Sequence, residues 1–154
     1  MNRPSWDEYF ISILDAVAQR ATCDRGKSAC IITRDNRILS TGYVGSPAGF
    51  PSCSEVGHLL REVKYEDGSV KQHCVRTIHA EQNAIVYSAR YGVSIEGANL
   101  YCTMVPCYSC AMLIIASGIK KVIAKNEYQS SKQTKEMFRL AGIELLVLNI
   151  DLCY

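Results

Sequence analysis

Several features are missing from this chain of 154 residues, and each absence narrows what it can do. The formal net charge is only +2 and no block of lysine or arginine stands out, so there is no broad electrostatic footprint for nucleic acid or an anionic membrane surface. No uninterrupted apolar stretch is long enough to span a bilayer. The amino terminus carries Asp7 and Glu8 inside its pattern, unlike the apolar centre of a secretory signal. The expectation is a cytoplasmic protein with no membrane or nucleic-acid partner indicated. Internal repeats and low-complexity tracts are absent too. With 48% apolar and 21% charged residues, the chain has the size and composition for one domain over residues 1–154 with a full core.

Cysteine, by contrast, is plentiful. Eight cysteines could make four disulfides, but without a secretory signal, and with Cys107 and Cys110 in a Cys-x-x-Cys pair, metal ligation is the better use for thiolates. Cys30 and Cys102 lie in strand-like apolar runs and Cys153 lies at the tail, where a buried or incidental thiol explains them.

Periodicity sets out the elements. Ser5 followed by Glu8 forms a capping box, and Trp6, Tyr9, Phe10, Ile13, Leu14 and Val17 recur at helical spacing, predicting a helix over about 5–21. Apolar runs at 29–33 and 37–43 flank Asp35-Asn36, a pair suited to a tight turn, and predict a β-hairpin. From about 45 to 78 come Gly45, Pro47, Gly49, Pro51, Gly57 and Gly68 with mixed charges, which predicts an irregular excursion pinned by something. Beyond it the pattern predicts a helix over about 79–91 ended by Gly92, a strand near 100–104, and a helix opening at Pro106 and ending near Gly118. A strand at 121–124, a helix over about 130–141 closed by Gly142, and a strand at 145–148 complete it. Strands alternating with helices imply right-handed βαβ crossovers and an α/β fold with a mixed or parallel sheet covered on both faces.

Two short motifs carry the chemistry. His79-Ala80-Glu81 and Pro106-Cys107-Tyr108-Ser109-Cys110 match the paired H-x-E and P-C-x-x-C signature of zinc-dependent nucleobase deaminases. A catalytic zinc takes three protein ligands and keeps one open position, and His79, Cys107 and Cys110 supply that number. Each motif opens a helix, where unpaired N–H groups and the positive dipole end favour thiolate over thiol. Glu81, two residues past His79, is placed to take a proton from a zinc-activated water and return it to the ring and the leaving amine. The alternative is a structural zinc closed by a fourth protein ligand, with Glu81 an ordinary acid at a helix start.

These motifs and their surroundings resemble the deoxycytidylate deaminase family, particularly its bacterial and phage members and the late-competence deaminases. The resemblance runs through Cys23, the stretch 42–47 (Gly-Tyr-Val-Gly-Ser-Pro), the stretch 73–85 from His73 to Ile85, residues 106–110 and residues 117–123. It implies a three-layer α/β/α cytidine-deaminase-like fold with a five-stranded mixed sheet and zinc-dependent hydrolysis of dCMP to dUMP and ammonia. It further implies a homo-oligomer, hexamer or dimer, regulated by deoxynucleoside triphosphates such as dCTP and dTTP. Three departures stand out. The family has an asparagine that contacts the nucleotide sugar where this chain has Val44, valine-glycine where it has Ser28-Ala29, and a tyrosine beside the pyrimidine where it has Ala124, although Tyr128 remains in register. Val44 and Ala124 are therefore expected to face the nucleotide.

A second set of metal-type residues, Cys23, Cys53, His58, His73 and Cys74, lies outside these motifs, with four of the five in the excursion. Four of them would hold a structural zinc that ties the excursion to the end of the first helix. The resemblance carries over Cys23 and Cys53 and leaves the remaining two to be chosen among His58, His73 and Cys74; scattered buried thiols and exposed histidines are the alternative. Arg25 and Lys27 are candidates for the substrate phosphate, with plain surface charge as the other reading. Asn83 is placed to contact substrate or orient a ligand. Arg90 falls where relatives use an arginine near the subunit contact and effector site, and a helix-end arginine beside a C-terminal dipole is as good an account.

Three functions follow. The first is an enzyme on a free nucleotide, deaminating dCMP. The second is an editing enzyme acting on tRNA adenosine or single-stranded cytosine, which needs a basic groove and stacking aromatics that composition does not supply. The third is a non-catalytic binding member of the family, disfavoured by the intact His79, Glu81, Cys107 and Cys110.

Overall fold

The structure is a computed structural model and describes residues 2–128 and 131–149, so Cys153 lies outside the described residues. Helix α1 (Trp6–Ala18) starts as the capping box requires: the Ser5 hydroxyl accepts the Glu8 N–H at 3.2 Å, and the Glu8 carboxylate accepts the Ser5 N–H at 2.7 Å. It is shorter than the expected reach to residue 21. Thr22 N–H donates to the Val44 carbonyl at 3.1 Å, which draws the chain out of the helical path.

Strands β1 (Ala29–Arg34) and β2 (Arg37–Tyr43) form the expected hairpin, with Asp35 and Asn36 both in the left-handed region at φ of 52° and 58°. They join β5 (Asn99–Met104), β6 (Lys121–Asn126) and β7 (Glu144–Val147) in a five-stranded sheet ordered β2-β1-β5-β6-β7. The β2–β1–β5 pairings are antiparallel and β5–β6–β7 parallel, so the sheet is mixed. Helices α3 (Ala80–Tyr91), α4 (Tyr108–Ala116) and α5 (Lys132–Ala141) follow the sequence expectation, with Gly92 and Gly142 closing α3 and α5.

Strand parity divides the core into two layers. Cys30, Ile32, Leu100, Cys102, Val122 and Ala124 face one side, against Ala80, Ala84, Ala111, Ile114 and Phe138 of α3, α4 and α5. Ala29, Ile31, Tyr101 and Ile123 face the other, against Phe10, Ile11 and Leu14 of α1. Both faces of the central strands are dry, which is why they read as continuous apolar runs. The result is the expected α/β/α sandwich. Among the described residues, no helix is long and apolar enough to cross a membrane.

The excursion departs from expectation. It contains a short helix α2 (Cys53–Val56) and a second hairpin, β3 (Leu60–Lys64) with β4 (Val70–Cys74), in place of wholly irregular chain. Every residue of β3 is exposed, so there is no apolar face from which alternation could have been read. Its turn is local: Asp67 accepts from the Ser69 N–H at 2.8 Å and Gly68 adopts φ of 82°.

Candidate active site and metal centres

Helix α3, packed on β1 and β2, and helix α4, which follows β5, bring their starts to one place. His79 is the N-cap of α3 and Cys107 the N-cap of α4, both with extended backbone. His79 is held from behind by the bridge between Gly45 and Ile78 and by its own N–H donating to the Gln82 side chain at 2.9 Å. Gly42 lets β2 approach this helix closely: a Cβ there would overlap the Ala80 carbonyl oxygen and come within 2.6 Å of the Ala84 nitrogen.

His79 Nδ1 lies 3.4 Å from Cys107 Sγ and 3.3 Å from Cys110 Sγ. A tetrahedral zinc with bonds of about 2.0–2.3 Å separates its ligand atoms by about 3.3–3.8 Å, so the one-nitrogen, two-sulfur set fits that ion. The Cys110 and His79 hydrogen bonds to Cys107 outweigh its burial and hold its thiol down at about 3, and Ser109 Oγ adds a contact at 3.3 Å. Glu81 projects beside the trio with 8% of its surface exposed, and burial pushes its carboxyl above the usual carboxylate range. His79, Cys107 and the buried Glu81 line a cleft of about 570 Å³ that opens to solvent, while Cys110 is wholly buried.

A second group also converges. Cys23, Cys53, His58 and Cys74 each bring one ligand atom within 4.8 Å of the others, a set able to hold a zinc ion. Cys23 Sγ is 3.7 Å from His58 Nδ1 and Cys53 Sγ is 3.5 Å from Cys74 Sγ. On its far side, His58 Nε2 is 3.0 Å from the Asp24 carboxylate, the outer partner that orients a metal-bound imidazole. Of the five candidates, His73 is left out. Neighbouring residues on a strand point to opposite faces, so with Cys74 turned into the group His73 turns away, and its Nε2 meets the Tyr65 hydroxyl at 2.6 Å.

The remaining candidates separate. Val44, Arg25 and Tyr128 line the cleft, Val44 also packing on Cys23 and Cys53, and Arg25 Nη2 donating to the Gln72 carbonyl at 2.8 Å. Asn83 is outside the lining; its side-chain amide donates to the Tyr43 carbonyl at 3.0 Å and ties α3 to β2. Lys27 is exposed and does not line the cleft, although Gly26 and Ser28 on either side of it do. Arg90 sits on the last turn of α3 with its guanidinium 5.6 Å from the Tyr91 ring centroid. Ala124, expected to face a nucleotide, is wholly buried in the middle of β6 between Cys102 and Val147, because strand parity turns it into the core. Cys30 and Cys102 stand opposite each other in β1 and β5, fully buried, and burial raises both thiols far from reactivity. Tyr65, Val63 and Gln133 line the cleft without having been singled out in the sequence. For the first two the only available signal was the parity they share with His73.

Residues 4–126 match the family model described as the cytidine and deoxycytidylate deaminase zinc-binding region. The chain is 42% identical over 132 residues to the deoxycytidylate deaminase of Mycobacterium phage D29, covering 82% of this chain and 99% of that protein. It is 37% identical over 151 residues to ComE operon protein 2 of Bacillus subtilis (strain 168), covering 98% of this chain and 75% of the relative. The solved structure of dCMP deaminase from the cyanophage S-TIM5, in complex with dCMP and dUMP, superposes with a TM-score of 0.75 at 31% identity, covering 96% of this chain and 99% of that one.

Proposed function

This chain belongs to the cytidine and deoxycytidylate deaminase family, and from that premise we propose that it hydrolyses dCMP to dUMP and ammonia. The observation that carries the reading is one open cleft lined by the buried Glu81 and by His79 and Cys107 of the three-ligand group, in a chain matching a solved dCMP deaminase along almost its whole length. His79, Cys107 and Cys110 would hold the catalytic zinc, which when bound supplies Lewis-acid activation of water near neutral pH. Glu81 moves the protons. Its carboxylate takes one proton from the attacking water and gives it to the pyrimidine ring nitrogen, then takes the second from the added hydroxyl and gives it to the departing amine, and its burial brings its affinity for a proton closer to what a shuttle working near neutrality needs. Water adds to the amine-bearing carbon, the carbon–nitrogen bond breaks, and ammonia leaves with the transferred proton.

In this reading Val44, Arg25 and Tyr128 contact substrate, and Cys23, Cys53, His58 and Cys74 carry a structural zinc that closes the base of the second hairpin. A cytoplasmic setting suits cysteines that serve as ligands and free thiols, as the seven described ones do. Val86, Tyr87 and Tyr91 of α3, with Met112 and Leu113 of α4, form an exposed apolar face that suits a homo-oligomer, and Arg90 beside it suits a subunit contact or a site for deoxynucleoside triphosphates. The test is an ammonia-release assay of the zinc-loaded protein across dCMP, dCTP, CMP, deoxycytidine, guanine and single-stranded oligonucleotides. Preference for dCMP supports the reading. Activity confined to a purine or an oligonucleotide refutes it and leaves the zinc chemistry standing.

A further inference from the structure

His73 is a histidine the chemistry has not yet used. Cross-strand register places it opposite Arg61 and places Lys71 opposite Val63, so Val63, Tyr65, Lys71 and His73 share one face of the second hairpin. Val63, Tyr65 and His73 from that face line the cleft that contains His79 and Glu81. The hairpin has no apolar core of its own, yet Tyr65 and His73 are half-buried and joined at 2.6 Å. The position of the hairpin is set from outside. Cys74 anchors its base in the metal quartet, the Gln72 carbonyl is bonded to Arg25, and Glu66 at its tip accepts from Gln133 on α5 at 2.7 Å.

A tyrosine and a neutral imidazole carry one hydrogen each and spend one on the bond between them. Whichever partner donates, one O–H or N–H is left over. Arg25, clamped to the residue next to His73, adds a permanent positive charge and further N–H groups on the same cleft. A leftover donor and a guanidinium, placed in a cleft whose other residues hold the reacting pyrimidine, form a surface for an anionic oxygen of the substrate. We propose that the Tyr65–His73 pair contacts the 5′-phosphate, completing with Arg25 the part of the cleft that distinguishes a nucleotide from a nucleoside. This rests on the deaminase reading, and it makes the metal quartet an affinity element as well, since the quartet fixes the strand on which His73 stands.

The experiment compares full-length, zinc-loaded wild type, Tyr65→Phe and His73→Gln on dCMP and on deoxycytidine, with zinc content measured for each. Tyr65→Phe removes only a hydroxyl from an exposed hairpin, so it folds even where His73→Gln does not. Both variants should keep their zinc and raise KM for dCMP about tenfold or more, with kcat moving much less. The ratio of kcat/KM for dCMP over deoxycytidine should fall by the same factor. Zinc-loaded variants that keep the wild-type ratio, or that lose both substrates equally, overturn the inference. Wild type that releases no ammonia from dCMP removes the dCMP reading on which the inference rests, and active wild type with unaltered variants removes only the phosphate contact.

Discussion

The two thiolate and imidazole groups of this protein draw on the same ligand types and border one cleft, yet they are built differently. His79, Cys107 and Cys110 stand at the starts of two helices that pack on one face of the sheet, so the rigid core sets their positions. Cys23, Cys53, His58 and Cys74 come from a loop, a one-turn helix, a second loop and the end of an exposed hairpin, backed by only a small cluster of Cys23, Val44 and Cys53 and not by the two core layers of the sheet. The first group has three ligands, two of them lining the cleft beside a buried acid; the second has four ligands and an outer carboxylate on its histidine. Three ligands leave a coordination position for water and four do not. The fold therefore supplies the order that the first site uses, and the second site supplies order to a stretch the core does not reach.

The sharpest way to break this comparison is Glu81→Gln. It should lower kcat by at least about 10²- to 10⁴-fold while zinc content stays at wild type, since proton transfer is removed and the ligands are not. Turnover close to wild type would end the proposed role of Glu81. The two groups should also come apart under single-ligand loss. His79→Ala or Cys107→Ser should abolish activity and remove one zinc per chain with little change in unfolding temperature, whereas Cys53→Ser should remove the other zinc and lower the unfolding temperature by on the order of 10 °C. Metal analysis with thermal unfolding checks both, and equal destabilisation by both kinds of variant would erase the distinction.

Gly42→Ala tests the core's hold on the first group. The added methyl meets backbone of α3, which cannot swing aside, so a loss of about 1–3 kcal/mol is expected in denaturant unfolding, with zinc retained in the native state. The smallest effect belongs to the boundary between the groups. Val44 is nearly buried, lines the cleft and packs on Cys23 and Cys53, so Val44→Asn should lower KM for dCMP by up to about tenfold while kcat changes less. A higher KM would mean that contact with the quartet matters more at this position than a polar contact to the nucleotide.

The motifs around His79 and Cys107 were readable because their chemistry is local: ligand spacing, helix caps and the acid two residues on all lie within short stretches of chain. The helices and central strands were readable for the same reason, since each carries its own apolar period. The second hairpin carries none. Exposed along the whole of β3, it is held by contacts such as Arg25 with Gln72 and Glu66 with Gln133, which join residues far apart in the chain. No local pattern encodes such contacts.

By itself, then, the amino-acid order determined the element types outside the excursion, the proposed catalytic trio with Glu81, and the pool of ligands for the second group. Only the tertiary structure decided among neighbours that spacing treats alike. His73 and Cys74 are adjacent and both competent ligands, and the parity of β4 sends one to the metal quartet and the other to the cleft. Ala124 was open to either face of β6 until its register with Cys102 and Val147 turned it into the core. In a strand the side chain alternates at every residue, so a single step of register reverses what each one meets, and register is fixed by partners that lie elsewhere in the chain.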